Sequence, residues 1–372
     1  MQRIITPEND YRALDEWIGE HKLFIVCDCS LQFLTGIREH LDLLERRGKN
    51  IVRFSDFQPN PLYENVLVGI NLFRQEKCDA IMAIGGGSAM DVAKCIRLYC
   101  PMPGDGTDGS FLTMEPAPAD IPFLAMPTTA GTGSEATRYA VIYYKGKKQS
   151  ITHNSLIPET VLMDPSCLKT LPIYQKKATM MDALCHAIES YWSVHSTEES
   201  RAYSDEAIRQ VMRYKDGYLA NTEDGNQGML RAANVAGKAI NITQTTAGHA
   251  MCYKITSLFG YAHGHAAALC VRKLFPCMVA NVDQCIDPRG EEYLKQTLNA
   301  IGLALGGKDA EEGGRIFSAL YNELELPVPE ASEEKIAVLS SSVNPVRLKN
   351  HPMKLDDVPA LYREILGGKH EG

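Results

Sequence analysis

Residues 80–91, AIMAIGGGSAMD, indicate the fold of the N-terminal half of the chain. An apolar run ends in Gly85, Gly86, Gly87 and Ser88, and helical spacing of apolar residues starts directly afterwards. At such a turn, free backbone N–H groups and the positive end of a helix dipole converge, so a pyrophosphate can bind there. A plain strand-to-helix turn with Ser88 as N-cap is the alternative. The motif predicts a dinucleotide loop or, failing that, a capped turn.

Short apolar runs and helical patterns alternate on both sides of this stretch. Such alternation is typical of a parallel sheet covered on both faces. Beyond about residue 172 the strand signals disappear and amphipathic helices follow one another. We expect an α/β Rossmann-like domain over 1–171 and an all-α domain over 172–372. The expected strands are 23–27, 51–54, 80–84, 122–126 and 160–163, and the expected N-terminal helices lie near 31–47, 62–76 and 89–99.

A second polar loop, PTTAGTGSE at 127–135, also follows a predicted strand. Its hydroxyl groups and glycines suit a nucleotide, because ligands of open α/β sheets bind at the carboxyl ends of the strands. Asp28 ends the first predicted strand. There a carboxylate can accept hydrogen bonds from an adenosine ribose and repel a 2′-phosphate, which favours NAD over NADP. A simple turn-forming role for Asp28 is equally open.

The helical half contains an Asp-x-x-x-His pair, Asp182 and His186, and then His249 and His263 fourteen positions apart. Asp182 and His186 are one helical turn apart and can bind the same ion. One carboxylate and three imidazoles suit a catalytic divalent metal with an open coordination position. Acidic and imidazole groups also meet on solvated helix faces, which is the alternative for the first pair.

Composition excludes some classes of partner. The net charge of -8 and the pI of about 5.7 leave no basic surface for nucleic acid. No apolar stretch reaches the roughly 20 residues of a membrane helix, and the N-terminus has no secretion signal. We expect a cytoplasmic protein that acts on small molecules.

Taken in order, these motifs resemble the iron-containing (group III) alcohol dehydrogenase family over nearly the whole chain. The resemblance implies a dehydroquinate synthase-like architecture. Dimers are common in the family, so a homodimer is one assembly that the resemblance allows, but it does not fix the oligomeric state. It implies an ion, Fe²⁺ or Zn²⁺, bound by Asp182, His186, His249 and His263. It also implies that NAD(H) is bound by Asp28, Gly85, Gly86, Gly87, Ser88, Asp91, Thr128, Thr129, Thr132 and Lys148. Other matches to the family are residues 59–61, Lys94, residues 164–165, Glu189, Gly248, Gly264 and His265.

The chain departs from the family at one position. Many members carry a further histidine, often assigned to proton relay, one helical turn after the ligand that matches His249. Here that position is Tyr253. A tyrosine hydroxyl has an ordinary pKa of roughly 10 and is a poorer relay at neutral pH. Tyr253, His265 and water are therefore the candidate proton carriers.

Residues 182–194, 245–254 and 344–350 look most like a subgroup that reduces phosphonoacetaldehyde to 2-hydroxyethylphosphonate. A small dianionic aldehyde needs cationic partners, for which the candidates are Arg138, Lys254, Arg347 and Lys349. Each could equally be an exposed surface charge. Sulfoacetaldehyde and an uncharged short-chain alcohol stay open as substrates. A sugar-phosphate cyclase, a lyase of the same architecture, is a remote alternative that would be expected to carry glutamate at position 182.

Overall fold

The computed structural model describes residues 2–7, 10–116, 120–348 and 358–366. It divides the chain into two compact units, Met1–Leu171 and Pro172–Gly372. Within the described ranges, no helix is long and apolar enough to cross a bilayer. The candidate Lys349 lies outside the described residues.

The first unit contains a large sheet and a separate β-hairpin. Its strands are β1 (Arg3–Ile5), β2 (Leu23–Cys27), β3 (Ile51–Phe54), β4 (Ala80–Gly85), β5 (Phe123–Pro127), β6 (Tyr139–Tyr144), β7 (Lys147–Thr152) and β8 (Thr160–Leu162). The large sheet has the order β1-β8-β5-β4-β2-β3, and every neighbouring pair is parallel. Strands β6 and β7 form the antiparallel hairpin.

Helices cover both faces of the large sheet, as the alternating pattern predicts. Phe24 and Val26 pack into one hydrophobic cluster, whereas Leu23 and Ile25 pack into another, because successive side chains of a strand point to opposite faces. The first cluster includes residues of α3 and α4, and the second includes residues of α1 and α2. The helices are α1 (Arg12–Ile18), α2 (Thr35–Arg46), α3 (Tyr63–Gln75) and α4 (Gly87–Tyr99).

The structure adds elements that the sequence patterns do not predict. Strand β1 has only three residues, and α1 has only seven, so neither is long enough for a clear periodic signal. The hairpin turns at Lys145 and Gly146, both of which have positive φ. Such a turn joins strands tightly, but its usual sequence signal is Asn-Gly or Asp-Gly, and Lys-Gly is easily missed.

The second unit is helical throughout its described residues. Helix α5 packs against α6, α7 and α9 and is buried along most of its length. The α-helices of this unit are α5 (Ile173–Trp192), α6 (Glu198–Leu219), α7 (Glu223–Thr243), α8 (Ala247–Phe259), α9 (His263–Ala280), α10 (Glu291–Ala304), α11 (Ala310–Glu323), α12 (Glu333–Ser341), α13 (Pro345–Leu348) and α14 (Val358–Leu366).

Glycines allow α6 and α7 to pack closely, which gives a test of the fold. A Cβ on Gly225 would overlap the backbone of Gly217, so we expect Gly225→Ala to destabilise the protein by about 1–3 kcal/mol. The control is Gly314→Ala, where a Cβ meets only Pro276 Cγ at 3.6 Å. That helical substitution should be neutral or stabilising by up to about 1 kcal/mol. Urea unfolding followed by circular dichroism measures both, and equal effects would contradict the close-packing explanation.

Candidate metal centre and cofactor loops

Helix α5 places two of the predicted metal ligands in the interior of the second unit. The side chains of Asp182 and His186 are only 3% and 7% exposed. Nε2 of His186 lies 4.0 Å from Oδ1 of Asp182. Acidic side chains are seldom buried unless they are paired, so this location already indicates a compensating partner.

Helices α8 and α9 bring His249 and His263 to the same place. Nε2 of His249 lies 3.4 Å from Oδ1 of Asp182, and its ring stacks on that of His186 with centroids 4.4 Å apart. The ring centroids of His249 and His263 are 5.2 Å apart. One ligand atom from each of Asp182, His249 and His263 lies within 4.8 Å of the other two. His186 lies directly beside this set.

The chemistry of the cluster fits a divalent metal. Oδ1 of Asp182 and Nε2 of His249 are buried, and neither makes a hydrogen bond to any part of the chain that the structure describes. A buried polar atom left unsatisfied costs about 1–3 kcal/mol. A cation between such atoms would remove that cost, and carboxylate oxygen with imidazole nitrogen is a ligand set that both iron and zinc accept.

Electrostatics of the cluster keep its carboxylate ionised. Burial raises the pKa of Asp182, but the neighbouring imidazoles, led by His186, outweigh burial and hold that pKa well below its usual range. Burial lowers the pKa of His249, whereas the charges of Glu189 and Asp182 outweigh burial and raise it above its ordinary value, so a cation that binds here displaces a proton from the ring. A permanently ionised carboxylate attracts a cation over the whole physiological pH range.

A second buried carboxylate, Glu189, lies two turns after Asp182 on α5. Its Oε1 accepts hydrogen bonds from N and Nδ1 of His249, at 3.0 and 2.7 Å. Its Oε2 accepts from N and Oγ1 of Thr246, the latter at 2.7 Å. The sequence patterns give Glu189 no role beyond its match to the family. The available signal was an acidic residue inside a helix whose flanking positions, Ala187 and Ile188, are apolar.

Glycines beside two of the histidines allow the helices to meet at the cluster. A Cβ on Gly248 would overlap Oε1 of Glu189. A Cβ on Gly264 would overlap the carbonyl oxygen of Ala178 and lie 2.5 Å from Cβ of Asp182. Helices α8 and α9 therefore approach α5 closely at the residues next to His249 and His263.

The two candidate proton carriers have different surroundings. The ring of Tyr253 stacks on that of His263 with centroids 5.3 Å apart, and Tyr253 is 37% exposed. His265 is fully buried, with Nδ1 3.0 Å from the hydroxyl of Tyr174 and Nε2 2.9 Å from the carbonyl oxygen of Pro327. Because both ring nitrogens are engaged and burial lowers its pKa, these contacts favour a structural role for His265. The proton-relay assignment of His265 stays a prediction that the contacts do not support.

The basic candidates for substrate binding are not equivalent. Arg347 on α13 donates to Oε1 of Gln244 at 2.7 Å and to Oγ1 of Thr245 at 3.1 Å, directly before α8. Lys254 is half-buried on α8 itself. Arg138 belongs to the first unit, where it donates to the hydroxyl of Tyr139 at 3.3 Å and lies over that ring.

The predicted cofactor residues of the first unit gather at one edge of its sheet. Strands β2, β4 and β5 are parallel neighbours, so Asp28, Gly85 and Thr128 come together where these strands end. A Cβ on Gly85 would lie 3.0 Å from Oδ2 of Asp28, and the amide of Thr128 donates to the carbonyl of Gly85 at 3.0 Å. Thr129 and Thr132 pack against Gly86 and Gly87 in the same way. Such an edge is where nucleotides bind in open α/β sheets.

Ser88 is not the N-cap of α4, so this part of the alternative is wrong. The helix begins at Gly87, its N-cap is Gly86, and no side chain caps it. Ser88 therefore lies inside the first turn. Amide groups at an uncapped helix N-terminus are available to an anion, which fits the pyrophosphate of a dinucleotide.

The remaining cofactor candidates, Asp91 on α4 and Lys148 on β7, do not lie at the ends of β2, β4 or β5. Asp91 accepts from Oγ of Ser134 at 3.2 Å and from the amide of Val141 at 3.1 Å, and burial raises its pKa to about 6. Lys94, fully buried, donates to Oγ of Ser134 at 3.0 Å and to the carbonyl of Tyr139 at 2.7 Å. Both therefore fix the second polar loop to α4. Lys148 is exposed on β7.

Oδ1 of Asp28 accepts a hydrogen bond from the amide of Ser30 at 2.8 Å. The turn-forming role is therefore present in the structure. Oδ2 faces Gly85 at the sheet edge, so the carboxylate also has an oxygen on the side where a ribose would bind. The two interpretations of Asp28 are compatible.

Comparison with known proteins extends over both units. Residues 2–165 match the model of iron-containing alcohol dehydrogenase, and residues 176–365 match the C-terminal model of the Fe-containing alcohol dehydrogenase family. The chain is 33% identical over 252 residues to NAD-dependent methanol dehydrogenase of Bacillus methanolicus, and the aligned residues cover 66% of this chain and 66% of that relative. It is 30% identical over 307 residues to phosphonoacetaldehyde reductase of Streptomyces viridochromogenes, which covers 79% of this chain and 76% of that relative.

Solved structures have the same architecture. Sulfoacetaldehyde reductase of Bifidobacterium kashiwanohense in complex with NAD⁺ has a TM-score of 0.85 and 25% identity, covering 98% of this chain and 97% of that chain. An iron-containing alcohol dehydrogenase of Thermococcus thioreducens has a TM-score of 0.85 at 21% identity, covering 99% of each, which shows the fold alone. Because the family models match nearly the whole chain, the protein belongs to the iron-containing alcohol dehydrogenase family, and the predicted family is confirmed.

Proposed function

We propose that the chain interconverts a small anionic aldehyde and its alcohol with NAD(H) and a divalent metal, and that phosphonoacetaldehyde and 2-hydroxyethylphosphonate are the pair. The cluster of Asp182, His249 and His263, with His186 beside it, carries the proposal, because its ligand atoms converge and two of them, Oδ1 of Asp182 and Nε2 of His249, are buried without a hydrogen bond to the described residues. Relatives named phosphonoacetaldehyde reductase and sulfoacetaldehyde reductase support an anionic substrate.

The proposed reaction uses two cofactors. The metal corresponds to the cluster of the second unit, and NAD(H) corresponds to the residues at the sheet edge of the first unit. Bound metal supplies a Lewis acid for the substrate oxygen, and bound NAD(H) supplies or accepts hydride. Iron is the metal that the family name implies, and the same ligands accept zinc. Asp182, His186, His249 and His263 would hold the ion. NAD(H) would contact the first turn of α4, Asp28 and the threonines of the second loop.

Tyr253 is the residue of this chain best placed to handle the proton of the hydroxyl group. Its ring lies on that of His263, so the phenol is next to a proposed ligand. Its exposed fraction of 37% also leaves a route to solvent. Tyr253 is therefore our candidate for proton transfer, with water as the alternative carrier.

Arg347 is the candidate best placed to bind the anionic group. Among the described residues, its hydrogen bonds go to neutral oxygens of Gln244 and Thr245, which orient the guanidinium. These residues lie directly before α8, the helix that carries His249. A guanidinium matches phosphonate and sulfonate oxygens in geometry and charge. Lys254 on α8 is the second candidate.

Sulfoacetaldehyde and an uncharged short-chain alcohol are the alternative substrates. The sulfoacetaldehyde reductase structure supports the first, and the methanol dehydrogenase relative supports the second. Phosphonate carries up to two negative charges and sulfonate only one. The three substrates therefore differ in the charge that Arg347 would contact.

A substrate panel tests the proposed function directly. With Fe²⁺ or Zn²⁺ loaded, we expect the protein to oxidise NADH in the presence of phosphonoacetaldehyde with a higher kcat/KM than with sulfoacetaldehyde, lactaldehyde or propanal. Asp182→Asn removes the charged ligand, so bound metal and activity should both fall by at least about 10- to 100-fold. Absorbance of NADH and elemental analysis are the measurements. Failure of every aldehyde with either metal would rule out the dehydrogenase proposal.

Asp28 should set the preference for NADH. Asp28→Asn keeps an oxygen that can accept from the amide of Ser30 but removes the charge that repels a 2′-phosphate. We expect the ratio of NADPH to NADH efficiencies to rise by about tenfold, because one like-charge contact of about 1.4 kcal/mol is lost. Asp28→Gly, which also removes the turn contact, should raise that ratio and lower stability as well. An unchanged cofactor ratio in both variants would leave Asp28 as a turn former only.

Arg347 should distinguish charged from neutral substrates. Arg347→Ala is expected to lower kcat/KM for phosphonoacetaldehyde by about 10- to 100-fold, as the loss of a charge-assisted contact implies. The loss on propanal should stay below about threefold. Arg363→Ala, which removes an exposed arginine paired with Glu333 in the same unit, is the matched control. Equal losses on both aldehydes would exclude an anion-binding role for Arg347.

A further inference from the structure

Glu189 receives four hydrogen bonds although it is fully buried. Two reach Oε1 from His249, and two reach Oε2 from Thr246. An ionised carboxylate is an acceptor only, so it can satisfy four donors at once.

Two of these donors belong to the start of α8. Thr246 is the N-cap of that helix, and His249 is its third residue, so their amides are among those that a helix cannot satisfy internally. No side chain from the helix itself caps this end. Glu189 on α5 satisfies these amides and places a negative charge at the positive end of the helix dipole. This contact requires Gly248, because a Cβ there would overlap Oε1.

The second hydrogen bond to Oε1, which comes from Nδ1 of His249, fixes the orientation of the imidazole ring. Nδ1 lies 2.7 Å from the carboxylate, so it carries the proton of that hydrogen bond. The opposite nitrogen, Nε2, is the one that lies 3.4 Å from Oδ1 of Asp182 and has no hydrogen bond to the described residues. A carboxylate on one ring nitrogen selects the tautomer that leaves the other nitrogen free to bind a metal.

We propose that Glu189 is a positioning residue for the metal centre, which holds His249 with Nδ1 protonated and Nε2 directed at the ion. The inference rests on the proposed metal-dependent function. One side chain thus fixes both the helix that carries His249 and the ring orientation of that ligand. Glu189 already holds the imidazole ring of His249 in place before the ion binds, so metal binding carries no further cost of ordering that ring. Metal affinity therefore depends on Glu189, although Glu189 is not a ligand.

The test compares Co²⁺ binding to the full-length protein and two variants. Glu189→Gln keeps the shape but turns an N–H₂ group towards two of the four donors, so we expect affinity to fall by about 10- to 100-fold. Asp287→Asn is the matched control, because Asp287 is a buried carboxylate of the same unit whose hydrogen bonds come from Arg289. Its Co²⁺ affinity should stay within about twofold of the unchanged protein. Visible absorption of Co²⁺ gives the affinity and the ligand field, and circular dichroism reports folding.

A second measurement does not depend on a folded variant. In zinc-loaded, ¹⁵N-histidine-labelled protein, His249 should be protonated at Nδ1 and metal-bound at Nε2. Protonation of His249 at Nε2, or a folded Glu189→Gln variant with unchanged Co²⁺ affinity and spectrum, would overturn the inference. If the unchanged protein bound neither Co²⁺ nor Zn²⁺, the proposed metal-dependent function would fail instead.

Discussion

The second unit is organised around two negative charges inside one buried helix. Asp182 and Glu189 on α5 are 2% and 0% exposed, and an uncompensated carboxylate in such surroundings would be neutralised or would destabilise the fold. Each is compensated differently. Asp182 faces imidazoles, whereas Glu189 accepts four hydrogen bonds at the start of α8. The positions of α8 and α9 against α5 follow from the need to satisfy these two groups.

That constraint also explains the glycines beside the ligands. Gly248 and Gly264 each precede or follow a histidine of the cluster, and a Cβ on either would overlap atoms of α5. The same logic applies in the first unit, where Gly85 lies against Ala89 and Asp28 at the end of β4. In both units, the backbone comes within contact distance of the proposed functional side chains or their neighbours. Glycine is the residue that permits this approach.

Strong periodic patterns predicted the parallel sheet, its covering helices and the helical second half, because those elements are long and their apolar faces are buried. The elements that escaped prediction are β1, α1 and the β6–β7 hairpin, which are short or turn through an unusual Lys-Gly pair. Spacing also predicted that Asp182 and His186 lie together on α5, since one helical turn fixes their proximity. It could not give the four contacts of Glu189 or the buried surroundings of His265, because these depend on helices far apart in sequence. The apparent N-cap at Ser88 failed because the helix starts two residues earlier than expected, directly after Gly86.

Local backbone geometry positions Arg347, the proposed anion-binding residue, beside the start of α8. Gln244, between α7 and α8, has a φ of 62°, although it is not a glycine. Its ψ is 177°, and this combination is adopted almost only by glycine and costs of order 1–3 kcal/mol for a residue with a side chain. The glutamine side chain is the one that accepts a hydrogen bond from Arg347. The strained Gln244 therefore holds the guanidinium of Arg347 next to the start of α8. If the substrate is anionic, as we propose, its charge would meet the half-exposed Arg347, and the proposed metal ligands would keep the contacts that hold them inside the helices.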